Sequence, residues 1–184
     1  MIFPRFRRKS RDADTISTLY GMIVAQARLP VFYRDYAVAD TVNGRFDLII
    51  LHLAMVLDRM SSEPALQALG QGIFDRFCRD MDHNLREMGV TDLKVPKEMR
   101  RIGEAFYGRS QVYRAAWTGG DEEPLVQALE RNIYGEQNGA ARRLAAYVRT
   151  VVADLAGQPA GSLENAILHF PEPDLIVQRS ASRD

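Results

Sequence analysis

The stretch 48-LIILHLAMVL-57 decides the fold that this sequence predicts. Nine of its ten residues are apolar, so a helix formed by them has no polar face and should be covered by neighbours on most sides. The run is too short for a membrane-spanning helix, which needs about 20 apolar residues. His52 lies within the run, and we expect it to be hydrogen-bonded in the core. The stretch therefore predicts the central helix of a helical bundle.

Helices with one apolar face are predicted before and after this central helix. Their apolar residues recur at i, i+3, i+4 and i+7, which is the spacing of an amphipathic helix. In the third helix the stripe predicted to be buried ends with Met81, Leu85 and Met88. Gly103 and Gly108 lie inside the fourth helix, where a close approach to another helix would explain them. The predicted helices start near Asp14, Asp47, Pro64, Pro96, Asp121 and Gly139.

The predicted fold class is all-α, with about six helices in one domain that spans residues 13–156. A long aromatic-rich connection joins the first two helices, and Asn43-Gly44 indicates a turn within it. Residues 1–12 are predicted to be a basic, flexible N-terminal tail. Residues 157–184 contain three prolines and are predicted to be an irregular C-terminal tail.

The charged residues are balanced over the whole chain but unevenly placed along it. There are 24 basic and 24 acidic residues, and the first eleven positions hold five of the basic residues and no acid. The remainder therefore has a net charge of −5, which argues against nucleic-acid binding, since such domains usually carry a basic face. The single cysteine, Cys78, excludes an internal disulfide and fits a reducing compartment. We expect a cytoplasmic protein, because no secretory signal is recognised.

The basic N-terminal residues are the candidate membrane-surface site. Each Lys or Arg close to an anionic leaflet contributes about 1 kcal/mol of attraction, and neighbouring aromatic rings can enter the interface. A solvated tail without a binding role is the alternative. The residues of this candidate site are Arg5, Arg7, Arg8, Lys9 and Arg11.

The segment 79-RDMDHNLREMGVTDLKVPKEMRR-101 combines acidic, basic and histidine side chains on the third helix. Asp80, His83 and Glu87 lie at i, i+3 and i+7 on one face, an arrangement that a metal ion could accept. A di-iron bundle, however, needs a second carboxylate-x-x-His motif, and neither of the other two histidines has a carboxylate three residues before it. The spacing gives a metal site little support, and no cofactor is predicted.

Ion pairs between neighbouring residues of one helix explain the same segment without a metal site or a catalytic site. Pairs at i and i+4 stabilise a solvated helix by about 0.2–0.5 kcal/mol each. Gly89 suits the position after the helix end, and Pro96 suits the start of the next helix. The predicted pairs are Asp75/Arg79, Arg76/Asp80, Asp82/Arg86 and His83/Glu87.

Motifs of catalysis are not found elsewhere in the sequence. It contains no G-x-S-x-G elbow, no phosphate-binding G-x-x-x-x-G-K-[ST] loop and no G-x-G-x-x-G turn. No histidine has an evident nucleophile beside it. We therefore predict that the protein is not an enzyme.

Four blocks carry a resemblance to a known family. They are "LYGMIVAQAR" (19–28), "FYRDYAVADTVNGRFDLIILHLAMVL" (32–57), "DMDHNLREMGVTDLKVPKEMRRIGEAFYGR" (80–109) and "LERNIYG" (129–135). The third block is the most specific, through its order of R-E-M-G-V, V-P-K and A-F-Y-G-R. In these blocks the chain resembles the ubiquinol–cytochrome c reductase assembly chaperones in their bacterial form.

The resemblance implies a non-enzymatic assembly factor for the respiratory cytochrome bc1 complex, also called complex III. Its expected partner is cytochrome b, another subunit of that complex or an early assembly intermediate. Relatives in mitochondria act at the ribosome with a small helical co-chaperone, so both are further candidate partners. The expected location is the cytoplasm, at the cytoplasmic face of the inner membrane.

Two groups of residues are candidates for partner binding under this resemblance. The aromatic connection either packs over the core or presents an apolar patch to the client, and Phe32, Tyr33 and Tyr36 are its candidate contacts. The polar segment either braces the loop that leads to Pro96 or forms the rim of a recognition patch, in which an arginine can bind a carboxylate through two hydrogen bonds. Its candidate residues are Asp82, His83, Arg86 and Glu87.

Two other functions remain open on the sequence alone. One is a peripheral-membrane interaction module with a different client, which would bind anionic lipid but not cytochrome b. The other is a metal-dependent enzyme that uses Asp80, His83 and Glu87, which would contain bound metal in stoichiometric amount.

Overall fold

The computed structural model describes residues 4–174, and the side chains from residue 12 onward. This part of the chain is helical and has no β-strand, which confirms the all-α prediction. A 3₁₀ turn at Pro64–Leu66 leads into α4, and a π-helical turn at Glu130–Tyr134 follows α6. The helices are α1 (Pro4–Ala27), α2 (Val31–Arg34), α3 (Val42–Ser61), α4 (Gln67–Glu87), α5 (Val95–Thr118), α6 (Glu123–Leu129), α7 (Ala140–Gly157) and α8 (Ala160–Glu164).

The apolar run occupies the middle of α3, which is the central helix as predicted. Every residue from Leu48 to Val56 is buried, because α1, α4, α5 and α7 all pack against this helix. His52 is fully buried among them, so its predicted place in the core is confirmed. The helix starts at Val42, earlier than the predicted Asp47, because the Thr41 hydroxyl accepts a hydrogen bond from the Gly44 N–H at 3.1 Å and caps it.

The first helix extends further toward the N-terminus than the sequence predicted. It begins at Pro4 and not near Asp14, so residues 4–12 are helical where a flexible tail was expected. Proline suits the first turn of a helix, and Arg and Lys are good helix formers, so no residue breaks the helix before Asp14. The side chains of the five basic residues lie outside the part that the structure describes.

Close helix contacts occur at glycines other than the predicted ones. A Cβ at Gly103 or Gly108 would meet no atom within 4 Å, so the predicted close approach at these two positions is wrong. At Gly72 of α4 a Cβ would fall within 3.0 Å of the Ile16 side chain of α1. The spacing of apolar residues shows which side of α5 faces inward, but the glycines lie away from that side.

The segment after α7 packs back on the bundle as far as Asp174. Leu163 and Leu168 are buried, and the Tyr36 hydroxyl donates a hydrogen bond to the Pro173 carbonyl at 3.0 Å. The Gln158 side chain accepts from the His169 N–H at 3.1 Å and so fixes the turn. Residues 158–174 are irregular apart from α8, as predicted, but they pack on the bundle because their scattered apolar residues bury against distant helices. Residues 175–184 lie outside the described part.

Candidate partner-binding groove

The aromatic connection packs over the core. The Phe32 and Tyr36 side chains are fully buried, and their ring centroids lie 5.1 and 5.9 Å from that of Tyr147. Phe32 lies in the short helix α2, and Tyr36 lies two residues after the end of that helix; both side chains turn toward Tyr147 in the core. They do not reach solvent in this conformation, so a contact with the client through these two residues stays a prediction. Tyr33 is only partly buried and stays available.

Arg86 holds the end of α4 to the loop that follows. Its guanidinium lies 2.7 Å from the Asp82 carboxylate and also pairs with Asp92 in the loop. The same guanidinium holds the pKa of Asp82 below its usual range. The His83 ring lies 3.1 Å from the Glu87 carboxylate. Two of the predicted i, i+4 pairs are thus confirmed, and Arg86 braces the loop.

The other two predicted pairs are replaced by different contacts. Asp75 accepts a hydrogen bond from Gln71 at 2.7 Å, while Arg79 bonds to the Asp75 backbone carbonyl. Asp80 accepts from the Tyr20 hydroxyl of α1 at 2.8 Å. Tertiary contact with α1 therefore takes Asp80 away from its neighbour Arg76 on the same helix.

The possible metal ligands on α4 do not form a site. Asp80 is engaged by Tyr20, and Glu87 is paired with His83. Among the described residues no group of three or more His, Cys, Asp or Glu side chains is arranged to hold a metal ion. The metal-dependent alternative therefore has no site on Asp80, His83 and Glu87.

An open groove of about 640 Å³ lies where four helices meet at one end of the bundle. The end of α1, the start of α3, the end of α4 and the start of α5 form its walls. Val42 and Met88 stand at its mouth with 70% and 68% of their surfaces exposed. The apolar lining is formed by Phe46, Ile49, Met81, Leu85 and Ile102.

Charged side chains surround this apolar lining, and most of them are paired. Arg45 lies 2.7 Å from the Asp40 carboxylate, and Arg101 lies 3.2 Å from that of Glu98. Arg28, which is exposed at the end of α1, has no carboxylate partner among the described side chains. The groove therefore offers apolar surface with the Arg28 cation, which no described carboxylate pairs, beside it.

The sequence pattern contains the groove residues but assigns them to the core. Met81, Leu85 and Met88 continue the apolar stripe of α4, and only Met81 is buried. Helical spacing indicates which residues share a face, whereas the cover over that face depends on helices distant in sequence. An apolar stripe that runs to the last turn before an exposed loop is the one signal that could have pointed to the groove.

Comparison with known proteins assigns this helical bundle to a family of chaperones. The chain belongs to the ubiquinol-cytochrome C chaperone family, whose model matches residues 34–170. This confirms the predicted family. No helix among the described residues is long and apolar enough to cross a membrane.

Two individual proteins are similar to the chain over most of its length. The ubiquinol-cytochrome-c reductase complex assembly factor 1 of Xenopus laevis is 27% identical over 134 residues, which cover 72% of this chain and 66% of that protein. The crystal structure of the Cbp3 homolog from Brucella abortus matches with a TM-score of 0.85 and 39% sequence identity. That match covers 95% of this chain and 98% of the other.

Proposed function

We propose that this protein is a non-enzymatic assembly factor of the cytochrome bc1 complex, and that it binds cytochrome b or an early assembly intermediate in the groove. The observation that carries this proposal is the family match over residues 34–170. The similar Xenopus laevis protein is named as an assembly factor of the ubiquinol-cytochrome-c reductase complex. The groove supplies what such a factor needs, an apolar surface open to a client.

The shape of the groove suits a helical or extended apolar segment. Grooves between helices bind such segments by taking apolar side chains spaced along one face of the client. Leu85 in the last turn of α4 and Met88, the capping residue just after it, can contact such a face. Each client side chain removed from water contributes about 25 cal/mol per Å² of apolar area. An unassembled membrane protein carries much apolar surface of this kind.

The charged rim gives the groove its selectivity in this proposal. Arg28 would pair with a carboxylate of the client, since no side chain of the described chain neutralises it. Glu87 also lines the groove, and its neighbour His83 lies at the rim with it. Tyr33, whose ring lies 6.0 Å from the Arg45 guanidinium, extends the rim on the α2 side. These residues are the proposed polar contacts, and Asp82 and Arg86 hold the rim in place.

The proposed place of action is the cytoplasmic face of the inner membrane, where a client membrane protein emerges. The ribosome and a small helical co-chaperone are proposed as further partners, following the resemblance to the mitochondrial relatives.

Changing Leu85 and Met88 to serine together is expected to reduce the capture of cytochrome b at least about tenfold, because two apolar contacts are lost. Tagged protein would be recovered from solubilised membranes of its own host, and bound cytochrome b measured by quantitative mass spectrometry. Ile167→Ser is the matched control, since Ile167 is 61% exposed and lies outside the groove. It should capture as much as the unchanged protein.

Two outcomes would contradict the proposal. If the unchanged protein captures no cytochrome b and a deletion strain has normal bc1 levels, the client is another protein. If capture is normal but the double variant and the control behave alike, the client binds elsewhere on the surface.

A further inference from the structure

We infer that the loop between α4 and α5, together with the first two turns of α5, is a docking surface for an anionic phospholipid membrane. The residues that form this surface, here called the loop surface, are Leu93, Lys94, Lys97 and Arg100. It is separate from the basic N-terminal segment, and it does not depend on which client the groove binds.

Leu93 protrudes from the loop into water. Its surface is 94% exposed, more than that of any other large apolar residue in the described part. The loop is short and well braced around it: Gly89 adopts a positive φ of 82°, and the Lys94 N–H donates to the Thr91 carbonyl at 2.8 Å. Arg86 also pairs with Asp92, the residue just before Leu93. The backbone therefore presents this leucine outward in a defined position.

The basic residues that follow Leu93 lie on one side of α5 and are free to bind anions. Lys94, Lys97 and Arg100 are spaced three residues apart and are all exposed. None of them pairs with a carboxylate among the described side chains, because Asp92 pairs with Arg86 and Glu98 with Arg101. Residues 88–101 carry four basic and two acidic side chains, a net charge of +2, on a body that is acidic overall.

This combination fits a lipid surface better than a protein partner. A protein interface usually has an apolar centre formed by several side chains. Here a single apolar side chain is followed by long cationic ones, which can reach lipid phosphates while their stems lie along the interface. The apolar tip can enter the boundary between headgroups and acyl chains. The anionic lipid surface would attract this basic side and repel the acidic body, and this would also orient the molecule on the membrane.

Docking through the loop surface would bring the groove to the bilayer. The last turn of α4 contributes Leu85 to the groove, and the capping residue after it contributes Met88. This end of the helix leads directly into the loop that carries Leu93. A protein bound in this way would have its groove mouth beside the membrane, where an apolar client segment leaves the bilayer.

Vesicle co-flotation of the purified full chain tests this inference without any client present. The protein should bind vesicles of equal parts phosphatidylglycerol and phosphatidylcholine, and it should bind vesicles of phosphatidylcholine alone much less. It should dissociate from the anionic vesicles at 0.5 M salt, which is about three times the physiological ionic strength. Lys94→Gln, Lys97→Gln and Arg100→Gln combined should lower the partition coefficient about 100-fold, or about fivefold for each charge. Leu93→Ser should lower it about tenfold.

Matched variants separate the loop surface from general charge effects. Arg79→Gln, Arg131→Gln and Arg142→Gln combined change the net charge equally at exposed positions elsewhere, and Ile167→Ser removes an exposed apolar residue elsewhere. These controls should bind the vesicles almost as the unchanged protein does. All variants should keep the melting temperature, since every substituted side chain is exposed.

Three results would overturn the inference. The first is that the unchanged protein does not bind the anionic vesicles. The second is that the loop-surface variants bind them normally, while replacement of the basic residues among positions 5–11 alone abolishes binding. The third is normal vesicle binding by Leu93→Ser together with loss of a co-purified protein, which would make the loop surface a protein interface. None of these results involves cytochrome b, so the proposed function would be unaffected.

Discussion

Replacing Gly44 with alanine is expected to lower the free energy of unfolding by about 3 kcal/mol. A Cβ at this position would lie well inside 3.0 Å of the Ala39 carbonyl oxygen and 3.1 Å from its carbon. Both are backbone atoms, so no side chain can rotate away. The connection between α2 and α3 would have to move, and with it the buried residues Tyr36 and Val38.

Gly103→Ala provides the matched control for this substitution. Gly103 also lies in a helix, but a Cβ there would meet nothing within 4 Å. Alanine should therefore stabilise the protein by up to about 1 kcal/mol, through its higher helix propensity. Chemical denaturation of both variants measures the change in the free energy of unfolding, which should be negative for Gly44→Ala and positive for Gly103→Ala. Equal changes in the two variants would show that the start of α3 does not depend on the close approach to Ala39.

The second expected result is a loss of stability between pH 7 and pH 4 that depends on His52. Burial lowers the pKa of His52 to about 4, although the Leu48 carbonyl acts in the opposite direction. In the unfolded chain the ordinary pKa is about 6.5, so the unfolded state binds a proton first as the pH falls. The stabilisation is complete above pH 6.5 and is lost as the pH falls toward 4. The difference in pKa corresponds to about 3 kcal/mol.

The hydrogen bonds of His52 explain why its neutral form is required. Its Nδ1 lies 2.8 Å from the Leu48 carbonyl, which can only accept, so this nitrogen donates. Its Nε2 lies 2.9 Å from the Tyr147 hydroxyl and accepts from it, and that hydroxyl in turn accepts from the Gln26 side chain at 3.0 Å. If Nε2 were protonated, the Tyr147 hydroxyl would face two donors, His52 Nε2 and the Gln26 side chain, and the core would contain a positive charge.

Urea unfolding at pH 7, 6, 5 and 4 measures this effect. The unchanged protein should lose about 3 kcal/mol more than a His52→Gln variant over this range, because glutamine does not titrate. The comparison is between the slopes of the free energy of unfolding against pH, so a lower stability of the variant at every pH does not affect it. Asp35, Asp40 and Asp82, whose pKa values their arginine partners hold down, contribute equally to both proteins. Parallel slopes would show that His52 does not control the acid response.

The amino-acid sequence by itself determined the helical class, the central position of α3 and the burial of His52. It also determined the end of α4, where Gly89 has the positive φ expected after a helix. These features depend on apolar spacing and on single turn or capping residues, so they can be deduced from neighbours along the chain. The family resemblance came from the same local blocks.

Only the tertiary structure decided which apolar residues are covered and which face water. It buried Phe32 and Tyr36, and it left Leu85 and Met88 to line a groove. It also placed the close approach at Gly44 and not at Gly103, and it packed residues 158–174 onto the bundle. The physical reason is that helical periodicity arises within one helix, whereas burial depends on contacts between residues far apart in sequence. A face that no other helix covers has the same local sequence pattern as a face in the core.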